Sequence, residues 1–418
     1  MWSPREVASE ESRMLPSQRH AGYSLIELLI GVALAAFLLV GLTQVFSASR
    51  LAYQANTGLA RVQEGSRFAT DFLQRDIRMA GHMGCSNDRA RNARLPNAVL
   101  DSFFVTNAQR DAGNYAAAPF ALRFDVPIQG FEAAGTGRGG AVNVSAPTGG
   151  WTPALDPALT GGSGLNPAPR PGSDVLVLRI FSGDAAPLSV DIRPAIAQPG
   201  SVSVPTASNA LIESGRYYGL ASCDRAAVFQ ARSAGLGGVF LVGTGGSNLT
   251  TGFSTSQGGS GPPVSNFTAN TTQLFRADSF VYYVGLRAAD GMPSLFRARF
   301  VNGVWGASEE LVEGVDTLQL MYGRDTDQNG AIEGYVRADE VIAGATTYAD
   351  IANRWRQIAA VELGLVLRSP ERAGTPDRQA ALGPIQVLGV AVNVNPNETV
   401  LRRPYETTIA LRNRLFGN

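Results

Sequence analysis

The chain has 418 residues, enough for one large domain or two ordinary ones, and at 44% hydrophobic and 17% charged most of it should fold. Its 35 basic and 35 acidic side chains cancel, leaving no global field to draw it onto nucleic acid. Every basic residue is Arg, which excludes a phosphate-loop or Schiff-base Lys, and with histidine present only as His20 and His82 a His-based triad or His-rich zinc site is hard to assemble.

Residues 1–22 read as a polar leader carrying Arg5, Arg13 and Arg19, followed by an apolar run from Tyr23 to Phe46 whose only charge is Glu27. The run is long enough to cross a bilayer as a helix. The order is wrong for an ordinary secretory signal, where a short apolar stretch precedes the cleavage site; here a long one follows Gly22. The basic leader predicts retention on the cytoplasmic side. A carboxylate in lipid costs on the order of 2.5–3.5 kcal/mol near the bilayer centre and less at the interface, so Glu27 reads as a functional group in need of a cation. The simpler alternative is a plain anchor with a tolerated interfacial Glu.

The helical pattern continues past the apolar run. Ala48, Ala52, Ala55, Leu59, Val62, Ala69, Leu73, Ile77 and Ala80 form an apolar or small stripe, with Glu64, Arg67, Asp71, Arg75 and Arg78 on another face. No proline interrupts residues 23–80, which predicts one continuous helix ended by Gly81 and Gly84. Residues 47–84 are thus the amphipathic continuation of a transmembrane helix over 23–46.

Beyond residue 85 the pattern changes to short β-like runs between Gly and Pro. Expected strands are Val175–Phe181, Val239–Val242, Phe280–Leu286, Leu295–Val301, Val315–Tyr322, Ile358–Leu367, Ile385–Val394 and Thr407–Leu411. The expected fold class is α+β: the long helix packed on a mainly antiparallel β-sheet head over 85–418, with long loops at 133–173 and 243–272. The second loop reads as a solvated loop or as an adhesive contact.

Cys85 and Cys223 are the two cysteines. In an exported chain such a pair suggests a disulfide, which would close a long loop and stabilise the fold by roughly 5 kcal/mol; two buried free thiols are the alternative. Asp325, Asp327 and Asn329, followed by Gly330, match the first half of a calcium loop, in which the Ala331 carbonyl adds a ligand. The closing Glu of an EF-hand is replaced by Val336, and the flanks read as strands, so the expectation is a calcium-stapled hairpin completed by Glu333, Asp339 or Glu340. A hairpin closed by Asn329-Gly330 without metal is the alternative. No other cofactor is expected.

Gly22-Tyr23-Ser24-Leu25-Ile26-Glu27-Leu28 resembles the class III signal of type IV prepilins and pseudopilins. The resemblance implies cleavage after Gly22 by a prepilin peptidase, N-methylation of Tyr23, and neutralisation by Glu27 of a terminal ammonium as subunits pack into a filament. The leader is longer than is usual in that family, and Tyr23 stands where Phe is commoner. The segments Glu64–Cys85, Ser173–Arg179, Ser222–Ala226, the Asp325 loop and Thr407–Arg414 are similar to PilW-type minor pilins. That implies a low-abundance structural subunit of the inner membrane, with its head in the periplasm before it enters a surface filament. It would prime or support pilus assembly with other minor pilins, the major pilin and the inner-membrane assembly platform. It would also help present a tip adhesin and support adhesion and twitching motility.

A minor pseudopilin of a type II secretion system is the alternative machine. A membrane-tethered enzyme or sugar-binding module is a third reading; its candidate acids, Glu309 and Glu310, read instead as a solvated turn, and no catalysis is expected.

Overall fold

A single helix, Leu25–Met79, forms from the apolar run and its amphipathic continuation. The computed structural model describes residues 22–84, 100–160, 162, 164–193, 200–223, 225–250, 252–253, 267–327, 329–373, 383–395 and 397–411. The chain divides into two compact units between Tyr53 and Gln54. In the first, every residue from Gly22 to Tyr53 is exposed, and the helix there is long and apolar enough to cross a membrane. In the second, the helix turns amphipathic as the pattern predicts: Val62, Ala69, Leu73 and Ile77 are buried, while Glu64, Arg67, Asp71, Arg75 and Arg78 are exposed. The chain leaves the helix through Gly81 and Gly84, at φ +74° and +63°, a left-handed backbone that glycine adopts without penalty.

Two sheets share one core with this part of the helix. The larger, ten-stranded and mixed, is built on the antiparallel pair Val175–Pro187 and Gln273–Leu286. On its far side Gln273–Leu286 pairs first with Tyr217–Ala221 and then with Pro293–Val301. Ile128–Ala133 extends the sheet from Val175–Pro187. The smaller sheet is antiparallel, in the order Gly334–Val336, Val315–Arg324, Ile358–Arg368, Arg402–Ala410.

Alternation along the strands explains the layering. Leu176, Leu178 and Ile180 join Leu73 and Ile77 of the helix and Leu318, Leu320, Leu363 and Leu365 of the smaller sheet. Val175, Val177 and Phe181 point the other way, into a second core with Tyr283 and Phe296. The larger sheet is therefore apolar on both faces, which is why its strands read as nearly continuous hydrophobic runs.

Several expectations are corrected. Residues 385–394 are not one strand but a hairpin, Ile385–Val387 and Val390–Asn393, because Leu388 and Gly389 both take positive φ, +47° and +81°, as a tight two-residue turn demands. The 133–173 stretch is not wholly loop: it contains the strands Ala141–Asn143 and Trp151–Thr152, and the first pairs in parallel with Val390–Asn393. The hairpin Tyr217–Ala221 and Ala226–Gln230 was not expected. Glu309 and Glu310 lie in a strand, Glu309–Glu313, rather than in a turn.

Candidate functional site

At the start of the helix Gly22, Tyr23 and Ser24 are non-helical. The Glu27 amide donates to the Ser24 hydroxyl at 3.2 Å, and the Ser24 amide donates to the Glu27 carboxylate at 3.0 Å. This reciprocal pair is a capping box, two otherwise orphaned donors being satisfied by each other's side chains. Glu27 thus has a local partner that charge reasoning alone missed; the S-x-x-E spacing was the available signal. Tyr23 is 89% exposed, and a Cβ placed on Gly22 would meet nothing within 4 Å. Among the described residues nothing packs where a side chain at position 22 would lie.

Cys85 lies outside the described residues. Cys223 sits in the turn joining Tyr217–Ala221 to Ala226–Gln230, where the Ser222 amide donates to the Arg225 carbonyl at 2.9 Å, and it is not a free thiol. A Cβ on Gly84 would come within 2.8 Å of the Ala221 Cβ, so the chain just before Cys85 runs against the strand just before Cys223.

The acidic loop joins Val315–Arg324 to Gly334–Val336. Asp325, Asp327 and Glu333 each bring a carboxylate oxygen within 4.8 Å of the others. Glu333 accepts the Thr326 amide at 3.0 and 3.1 Å, which chiefly holds its carboxyl below the usual range. Asn329 donates to Asp327 at 2.8 Å and accepts the Ala331 amide at 2.7 Å. Asp339 and Glu340, the other expected ligands, are engaged instead by Arg337, at 3.0 Å and 3.4 Å.

Residues 281–413 match the family model described as Type IV Pilus-assembly protein W, and residues 17–43 match the prokaryotic N-terminal methylation motif. The chain thus carries a region similar to a pilus-assembly protein and, at its start, a methylation motif of the prepilin kind. No curated protein and no solved structure gives a significant match. The first matched region holds the whole smaller sheet and the acidic loop; the second covers Gly22, Tyr23 and Glu27.

Other polar groups tie the layers of the chain together. Ser173 and Asp174, ahead of the Val175–Pro187 strand, staple the two sheets: the Ser173 hydroxyl accepts the Leu318 amide at 3.0 Å, and Asp174 accepts the Ala133 and Leu320 amides, each at 2.8 Å. Arg179, fully buried, donates to the carbonyls of Val126 at 2.7 Å and Phe120 at 2.6 Å. Its burial lowers the guanidinium to about 10. Asp76, on the buried face of the helix, accepts a hydrogen bond from the Tyr282 hydroxyl and pairs with Arg297 at 3.3 Å; Arg297 also holds Glu309 at 2.8 Å. Glu310 faces Arg287 at 3.6 Å, so both acids named as a possible glycosidase pair are engaged in ion pairs. Beside Asp174, Glu132 is 5% exposed, and burial, then the charge of Asp339, push its carboxyl up to about 7. The Glu132 Oε2 and the Tyr322 hydroxyl have no partner among the described residues.

Proposed function

We propose that the chain is a minor pilin of a type IV pilus, cut after Gly22 by a prepilin peptidase and methylated on Tyr23. The 17–43 match and the exposed, non-helical Gly22-Tyr23 segment support the cut. Since a side chain at position 22 would be accommodated locally, the requirement for glycine comes from the peptidase. Residues 1–22 are then the leader, 23–46 the membrane span, 47–84 the amphipathic continuation and 85–418 the head, anchored in the inner membrane with the head in the periplasm before assembly.

Glu27 carries the assembly role. The capping box uses part of its acceptor capacity and fixes the carboxylate at the helix N-terminus, with lone pairs to spare for the methylated ammonium of a neighbouring subunit. In lipid such a pair removes two isolated charges at once. Partners are the major pilin, other minor pilins, the assembly platform and a tip adhesin, with roles in priming assembly, adhesion and twitching motility. The PilW match over 281–413 favours this machine over type II secretion. A Cys85–Cys223 disulfide clamps the exit of the helix to the larger sheet, as the Gly84–Ala221 approach allows.

The observation that carries the reading is the methylation-motif match on a helix long and apolar enough to cross a membrane, with its apolar stretch unburied. Gly22→Ala should leave the precursor at full length on a gel, and Glu27→Ala should be processed normally yet enter filaments poorly. Normal piliation by Glu27→Ala would remove Glu27 from the assembly step.

A further inference from the structure

We infer that the loop Asp325–Glu333 binds one calcium ion through Asp325, Asp327 and Glu333. The inference stands apart from the pilin reading, since it uses only the loop's own atoms.

Two oxygens that each lie about 2.4 Å from one calcium stand no more than about 4.8 Å apart. The three carboxylates meet that condition, each offering an oxygen within 4.8 Å of the others. Proximity alone would not distinguish a cation site from three exposed acids, but Asp325 is not exposed. It is 7% accessible, its Oδ2 accepts the Gly330 amide at 3.1 Å, and its Oδ1 is shielded from solvent with no partner among the described residues. A buried carboxylate oxygen left without a donor is destabilising, and a cation removes that cost.

The backbone presents the other two carboxylates to the same place. Gly330, at φ +91°, makes the sharp turn that brings Glu333 back over the start of the loop, and the Thr326 amide holds it there. The donors are all oxygens and include three formal negative charges, which suits a hard divalent cation and not zinc. A loop of this kind tolerates the irregular, oxygen-rich shell calcium accepts, whereas magnesium demands near-ideal octahedral geometry and keeps its waters. The effect would be local: Gly334–Val336, a three-residue edge strand, is joined to the sheet through this loop.

The test uses the full chain in detergent, stripped with EGTA and titrated with calcium chloride by calorimetry. One ion per chain is expected. Asp325→Asn and Glu333→Gln should each weaken binding at least tenfold, while Asp290→Asn, at an exposed acid paired with Arg287, should leave it unchanged. Glu333 lies on the surface, so its variant still reads binding if Asp325→Asn fails to fold. Calcium should also slow proteolytic cleavage between residues 325 and 336 in the wild type but not in Glu333→Gln. Absence of stoichiometric binding, binding untouched by both variants, or equal competition by magnesium would each overturn the assignment.

Discussion

The helix Leu25–Met79 carries large apolar side chains in both its halves, but they meet different surroundings in each. From Leu25 to Phe46 the large side chains are exposed, Leu34 at 60% and Phe37 at 78%, whereas Leu73 and Ile77, further along the same element, are fully buried. A soluble protein does not leave so long an apolar surface uncovered. The first half is long and apolar enough to cross a membrane, whereas the second packs on the chain's own two sheets. Glu27 and Asp76 show the same contrast in acids. Among the described residues Glu27 has its capping partner Ser24, while Asp76 is matched by a phenol and a guanidinium.

Substitutions that separate the halves sharpen this comparison. Leu73→Ala should destabilise the head by about 2–5 kcal/mol, the cost of a core cavity. Leu34→Ala should leave head melting unchanged, because Leu34 is exposed and no buried side chain is removed; calorimetry on both variants in detergent makes the comparison, and equal destabilisation would break it. Asp76→Asn should cost less, about 1–3 kcal/mol, by weakening the buried bonds to Tyr282 and Arg297. The measurement is the denaturant midpoint.

The smallest expected effect is a pH dependence from Glu132. Because burial raises its folded carboxyl to about 7, the native state binds a proton there that the unfolded chain has already released between its ordinary value of 4.5 and 7. Stability from this group is then greatest below about 4.5 and falls as the pH rises toward 7 and beyond. Glu132→Gln should flatten the melting temperature across that range and raise it by a few degrees at pH 8. A dependence unchanged by the substitution would place the responsible group elsewhere.

Much of this was legible in the sequence where a pattern repeats. The buried face of the helix and most of the long central strands follow from hydrophobic pattern, and the helix exit follows from Gly81 and Gly84. Short elements escaped for identifiable reasons. Tyr217–Ala221 and Ala226–Gln230 carry no polar alternation, since both faces are buried, and Leu388-Gly389 lacks the Asn or Asp that usually announces a tight hairpin turn. Glu309 and Glu310 looked solvated because their partners, Arg297 and Arg287, come from a neighbouring strand and loop. Asp76 gave no warning either: a single carboxylate on an apolar stripe is interpretable only when Tyr282 and Arg297, more than 200 residues away, are seen beside it. At the acidic loop the spacing disclosed Asp325 and Asp327, but only the fold selects Glu333 over Asp339 and Glu340.

The central claim is that Gly22 marks a cut and Glu27 awaits the amine the cut exposes. Intact mass and N-terminal sequencing of the protein purified from membranes test this most directly. A mature chain beginning with N-methylated Tyr23 is the predicted result; a chain still beginning at Met1, or cut beyond Phe46, would contradict it.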